Sequence, residues 1–133
     1  MKISSQYFLV VILTVVASCG SESVKTLTVE QCSQITADIN KTVPQIINRF
    51  QTLDGVICGE QANNVYMIYS YTTDINTFKA QRASKYLETK RWCTNPNQKV
   101  VLERVSYVAK AYYDRFGKFL GELTFSRDDC MTV

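Results

Sequence analysis

The 133-residue chain contains no histidine. Without an imidazole it can build neither a His-based hydrolytic triad nor the Cys/His ligand set of a zinc finger. None of its five cysteines stands in a Cys-x-x-Cys pair, which removes the thioredoxin-like redox motif as well. The main apolar run near the start, residues 7–17, falls short of the roughly 20 residues that a bilayer-spanning helix requires. Lys and Arg number 15 against 12 Asp and Glu, an excess too mild to imply nucleic acid or a strongly anionic partner. There is no internal repeat and no low-complexity tract.

What is present begins with an export signal. Lys2 supplies a positive charge, residues 7–13 are unbroken and apolar, and Val15, Val16 and Ala17 lead into Ser18 and Cys19. A charged start, a short greasy core and small residues form the layout of a secretory signal peptide. The final stretch, Val16-Ala17-Ser18-Cys19 followed by Gly20, resembles the lipobox of bacterial lipoproteins. That resemblance implies residues 1–18 as a removed signal peptide and Cys19 as a lipidated new N-terminus, carrying a thioether-linked diacylglycerol and an amide-linked acyl chain such as palmitate. Each buried methylene contributes about 0.8 kcal/mol, so two or three chains make attachment nearly permanent. Gly20, where many inner-membrane lipoproteins carry Asp, implies the outer membrane, facing the periplasm. The alternative is an ordinary cut after Ala17 or Cys19 and a freely secreted protein.

Assigning Cys19 to lipid leaves Cys32, Cys58, Cys93 and Cys130, an even set that suits an oxidising compartment. Of three pairings, Cys32 with Cys58 and Cys93 with Cys130 are favoured because each joins neighbouring elements. Each loop closed in this way stabilises a domain by about 3 to 4 kcal/mol in the chain-entropy view.

Residues 19–27 are short and polar and read as a lipidated tether; residues 28–133 make one domain. Thr28 and Gln31 have capping-box spacing, and Val29, Cys32, Ile35, Ile39 and Val43 share a helical face, predicting a helix over 29–43. Ile46, Ile47 and Phe50 continue that stripe if the helix restarts at Thr42 with Pro44 in its first turn. Leu53, Val56, Ile57 and Cys58, a turn over 59–64, and the β-branched and aromatic run 65–71 predict a hairpin. Asp74 is a candidate N-cap for a basic second helix ending near Trp92 and Cys93, with a short helix over 98–105 after it. Residues 107–114 and 118–126 predict a second hairpin around Arg115-Phe116-Gly117. The expected fold is α+β: a four-stranded antiparallel sheet of two hairpins, two main helices on one face, stapled by disulfides.

For function, the exported tyrosines offer the clearest surface. Tyr66, Tyr69, Tyr71 and Tyr112 lie in the expected strands, and exposed tyrosines are common contact residues, although cross-strand packing is the plainer account of them. An aromatic sheet can stack RNA bases, but export, weak charge and the lack of an RNP-like run oppose that use. The carboxylates form no catalytic constellation, and Asp128-Asp129 lacks the spaced oxygens of a calcium loop. The expectation is a non-enzymatic lipoprotein without metal or cofactor, anchored to a membrane by lipid and binding another envelope protein, as an accessory, inhibitor or immunity protein. The alternative is an exported hydrolase or small-ligand binder working through carboxylates and tyrosines in a pocket.

Overall fold

The computed structural model describes residues 26–132. The leader, Cys19 and most of the expected tether lie outside the described residues. The order is α1 (Val29–Asn40), β1 (Gln45–Asn48), β2 (Gln51–Gln61), β3 (Asn64–Thr72), α2 (Ile75–Ala83), α3 (Lys85–Thr94), α4 (Pro96–Arg104), β4 (Tyr107–Tyr113), β5 (Phe119–Phe125) and a 3₁₀ helix (Arg127–Thr132).

The capping box forms as its spacing requires. The Gln31 amide donates to Thr28 Oγ1 at 3.1 Å and the Thr28 amide donates to Gln31 Oε1 at 3.0 Å. Both bonds satisfy amides that the first helical turn leaves unpaired. The helix stops at Asn40 and does not restart. Val43 precedes Pro44, which disfavours helical backbone there, and the β-branched pair Ile46-Ile47 forms the short edge strand β1 instead. The apolar stripe drawn through Ile46, Ile47 and Phe50 is therefore no helical face: these residues are 80%, 48% and 51% exposed.

The β2–β3 hairpin turns through Ala62 and Asn63, both with positive φ, the backbone of a tight two-residue hairpin turn. Asp74 caps α2 as expected, accepting from the Thr77 amide at 2.7 Å. The second helix is two helices, because Ser84 leaves helical geometry between α2 and α3. Asn95 both ends α3 and starts α4, its side chain accepting from the amides of Asn97 and Gln98, with Pro96 in the first turn where a missing amide costs nothing.

The expected four-stranded antiparallel sheet is corrected to five strands in a mixed sheet, ordered β1-β2-β3-β4-β5. Strands β3 and β4 pair in parallel, from Tyr66 beside Tyr107 to Thr72 beside Tyr113. The cause is the long helical connection: α2, α3 and α4 return the chain to the end where β3 began, so β4 leaves in the same direction. Two hairpins joined by a tight loop would have paired antiparallel; this crossover cannot.

The register defines two faces. One carries the rows Cys58-Met67-Val108-Phe125, Val56-Tyr69-Lys110-Leu123 and Leu53-Tyr71-Tyr112-Gly121. The helices anchor here: Cys32 of α1 is bonded to Cys58, Trp92 of α3 stacks on Phe125, and Phe78 of α2 packs on Tyr112. A Cβ on Gly121 would overlap the Phe78 ring, so only glycine lets α2 approach β5 this closely. The opposite face carries Ile57, Ile68, Ala109 and Thr124 in one row and the stacked pair Tyr66 and Tyr107, ring centroids 5.0 Å apart, in the next.

Both disulfides have the favoured pairing, Cys32 with Cys58 and Cys93 with Cys130. Leu27, expected in the tether, is buried in the core, and its amide donates to the Arg104 carbonyl at 2.9 Å. Among the described residues no helix is long and apolar enough to cross a membrane.

Candidate functional site

The strand directions give the sheet two unlike ends. At one end β3 and β4 begin and β2 and β5 finish; there the chain enters at Leu27, and the Ser106 amide bonds the Val65 carbonyl at 2.7 Å. Leu102, Val105, Val108, Met67 and Phe125 are at most 2% exposed around it, and both disulfides lie toward it. We call this the closed end. At the other end the β1–β2 turn, the β3–α2 junction and the β4–β5 turn meet around a groove of about 580 Å³. Residues 49–52, 72–75 and 114–116, with Leu120, line it.

Each wall follows from local chemistry. The β1–β2 turn is set by Asn48, whose side-chain oxygen accepts from the Phe50 amide at 2.8 Å, an Asx turn that pushes Phe50 outward. Thr73 then fixes that turn to β3, its hydroxyl donating to the Phe50 carbonyl at 2.9 Å while its amide donates to the Tyr113 carbonyl at 2.8 Å. In the β4–β5 turn, Asp114 Oδ1 accepts from the amides of Phe116 and Lys118, both at 2.9 Å, and Gly117 takes the positive φ of 85° that closes the loop. Phe116 is thereby held out in solvent at 81% exposure. Ile75, at the start of α2, adds a third apolar group that is 44% exposed.

Charge is arranged just as locally. The Arg49 guanidinium sits 4.8 Å from the centroid of the Phe50 ring, and that of Arg115 sits 5.0 Å from the Phe116 ring. The carboxylates in the same groove are engaged with their own backbone: Asp114 with its turn, Asp74 with the first turn of α2. The bond from the Thr77 amide, joined by the Thr77 hydroxyl, holds the Asp74 carboxyl below its ordinary pKa. The groove thus offers two aromatic rings and two guanidinium groups.

The residues singled out from sequence fall mostly elsewhere. Tyr71 and Tyr112 are core residues, 7% and 0% exposed, stacked on each other at 5.3 Å beneath α2 and α3. They cannot form a partner surface, because their rows face the helices. Tyr69, on the same face, meets Trp92 edge-on, and burial pushes its phenol up to about 12; burial also raises Tyr71 and Tyr112 strongly. Tyr66 alone of the four lies on the uncovered face, over Gly59, where a Cβ would overlap its ring. Glu88, buried at 7%, pairs with the largely buried Lys110 and, at 2.9 Å, with the solvent-exposed Arg91, away from the groove lining. Among the described residues no group of Cys, Asp or Glu could hold a metal ion.

The groove was missed although the sequence carries a sign of it. The dipeptide Arg-Phe occurs twice, at 49–50 and at 115–116, each time beside a turn-forming Asn or Asp. An aromatic residue at a turn is poorly placed to reach the core, and two such turns brought to one sheet end leave an exposed aromatic pair.

No protein-family model matches the sequence, and no curated protein matches it either. Two solved structures share the fold. One is a protein from Pseudomonas aeruginosa classed as secreted, with a TM-score of 0.58 and 14% identity over 80% of this chain and 99% of its own. The other is a pilotin of the type 2 secretion system of Vibrio vulnificus, with a TM-score of 0.55 and 13% identity over 77% of this chain and 90% of its own. At such identities the likeness is one of fold.

Proposed function

We propose that the chain is an exported accessory protein of the bacterial envelope, tethered through lipid on Cys19, whose folded domain binds another envelope protein in the Arg-Phe groove. The observation that carries this reading is the position of the groove. Leu27 enters at the closed end, and the nine residues of β3 separate it from the groove by about 30 Å at 3.3 to 3.4 Å per residue. Lipid on Cys19, eight residues before Leu27, would join the domain on its closed-end side and leave the groove at the end opposite the attachment. Phe50 and Ile75 leave about half of their surface in water and Phe116 most of it, and exposed apolar groups gathered at one site are characteristic of interaction surfaces. The shared fold of the Vibrio pilotin, which serves a secretion system, and of the secreted Pseudomonas protein is in keeping with such a role.

Two measurements test the address and the site together. Mass analysis of the mature N-terminus from the native host is expected to find lipid on Cys19, with processing lost in Cys19→Ala. Purification from crosslinked envelopes is expected to recover one discrete protein repeatedly, and to lose it with Phe50→Ser/Phe116→Ser. An unmodified N-terminus beginning near Ser18 or Gly20 would make the protein freely secreted, and recovery of no specific protein would remove the binding role.

A further inference from the structure

We infer that the groove takes an acidic, apolar polypeptide segment, with carboxylates of the partner received by Arg49 and Arg115 while its apolar side chains lie against Phe50, Ile75 and Phe116. This rests on the reading of the groove as a protein-binding site and specifies what is bound there.

The argument begins with unused donors. A guanidinium carries five N–H groups and prefers a planar, two-pronged acceptor such as a carboxylate. Among the described residues, neither Arg49 nor Arg115 has an acidic partner or a hydrogen bond; each rests only on its neighbouring phenylalanine ring. Other acidic residues nearby are already engaged. Asp114 accepts two backbone amides of its turn, Asp74 accepts the amide and hydroxyl of Thr77, and Asp54 accepts the Thr72 hydroxyl. The lining thus carries two carboxylates held by their own backbone and two guanidinium groups whose N–H donors are unused, and it is those unmet donors, not a net positive charge, that an incoming carboxylate satisfies.

Position adds selectivity. The two arginines stand in separate turns that line the groove, both exposed to solvent, so a ligand spanning the groove meets both. Each guanidinium carbon lies close to the ring of the following phenylalanine, 4.8 Å for Arg49 and 5.0 Å for Arg115, so charge and apolar surface are presented side by side. Between them the rings and Ile75 supply apolar surface that a free anion or a purely polar peptide leaves uncovered. The volume is within the range of ordinary binding clefts, enough for a few side chains and not for a globular surface. A segment with carboxylates interleaved among aliphatic or aromatic residues satisfies both requirements at once.

The test uses the full mature chain purified from the envelope in mild detergent, panned against an unbiased displayed library of random peptides. Enriched sequences are expected to carry an excess of Asp and Glu among Leu, Ile and Phe, and representative peptides to lose at least tenfold in affinity when their acids become amides. The exposed double variant Arg49→Glu/Arg115→Glu should fold normally and select basic apolar peptides instead. Enriched peptides without an acidic excess, the same peptides from the variant, or binding to anionic phosphatidylglycerol vesicles in place of any peptide would each overturn the inference. If Phe50→Ser/Phe116→Ser still loses the crosslinked partner in cells while acidic and amidated peptides bind alike, the protein-binding role stands and only its chemistry falls.

Discussion

The two ends of the sheet are built from similar residues and treated in opposite ways. At the closed end, Trp92, Phe125 and Leu102 are packed to near-zero exposure and two disulfides cross-link α1 to β2 and α3 to the 3₁₀ helix. At the groove end, Phe50, Ile75, Phe116 and Phe119 stand 44% to 81% exposed, and among the described residues no disulfide crosses it. A small domain has limited apolar area with which to hold itself together, and concentrating burial and cross-links at one end frees the other for a different use. Apolar groups left outside a core at a concave site, fixed there by Asx-type turns, mark surface that is reserved for contact.

That contrast can be broken most severely at the closed end. Phe125→Ala, which empties the space beneath Trp92, is expected to cost about 3 to 5 kcal/mol, read as a lowered midpoint of chemical denaturation with an unchanged slope. Replacing Cys93 and Cys130 together by serine opens a loop of 37 residues and should cost about 3 to 4 kcal/mol in the same experiment. Full reduction with a thiol, which opens the Cys32–Cys58 bridge as well, should cost the native chain more than this double variant loses.

The helix-covered face sharpens the comparison through pH. Tyr69 ionises only near pH 12 when folded, and Tyr71 and Tyr112 later still, because burial opposes the phenolate. A raised folded pKa means that the stabilisation is complete below the unfolded value near 10 and is lost as pH rises through the folded values. Ultraviolet titration should therefore separate early tyrosines from a late group that ionises together with unfolding. Smallest of all, Phe116→Ser at the groove end should change stability by less than about 0.5 kcal/mol, since its ring is already in water.

Much of this architecture is legible in the sequence, and the exceptions share a cause. The Thr28 and Asp74 caps, the β2–β3 hairpin and both disulfide pairings follow from short-range chemistry or from neighbouring elements. The parallel pairing of β3 with β4 depends on where three helices return the chain, which no local pattern encodes. Ile46, Ile47 and Phe50 fit a helical stripe numerically, yet Pro44 and β-branching override the period. The site was harder still. Tyrosines in strands attract notice, but the register turns Tyr69, Tyr71 and Tyr112 toward the helices, whereas the groove arises from two turns 66 positions apart in which Arg-Phe recurs.

The central claim, that the groove end is the contact surface, is tested most directly by photocrosslinking in the native host from single positions of equal exposure. Phe116 is 81% exposed at the groove and Met131 is 84% exposed beyond the closed end. A photoreactive residue at position 116 is expected to give one discrete protein adduct and the same residue at 131 none. Adducts of equal yield from both positions, or a discrete adduct from 131 alone, would contradict the account.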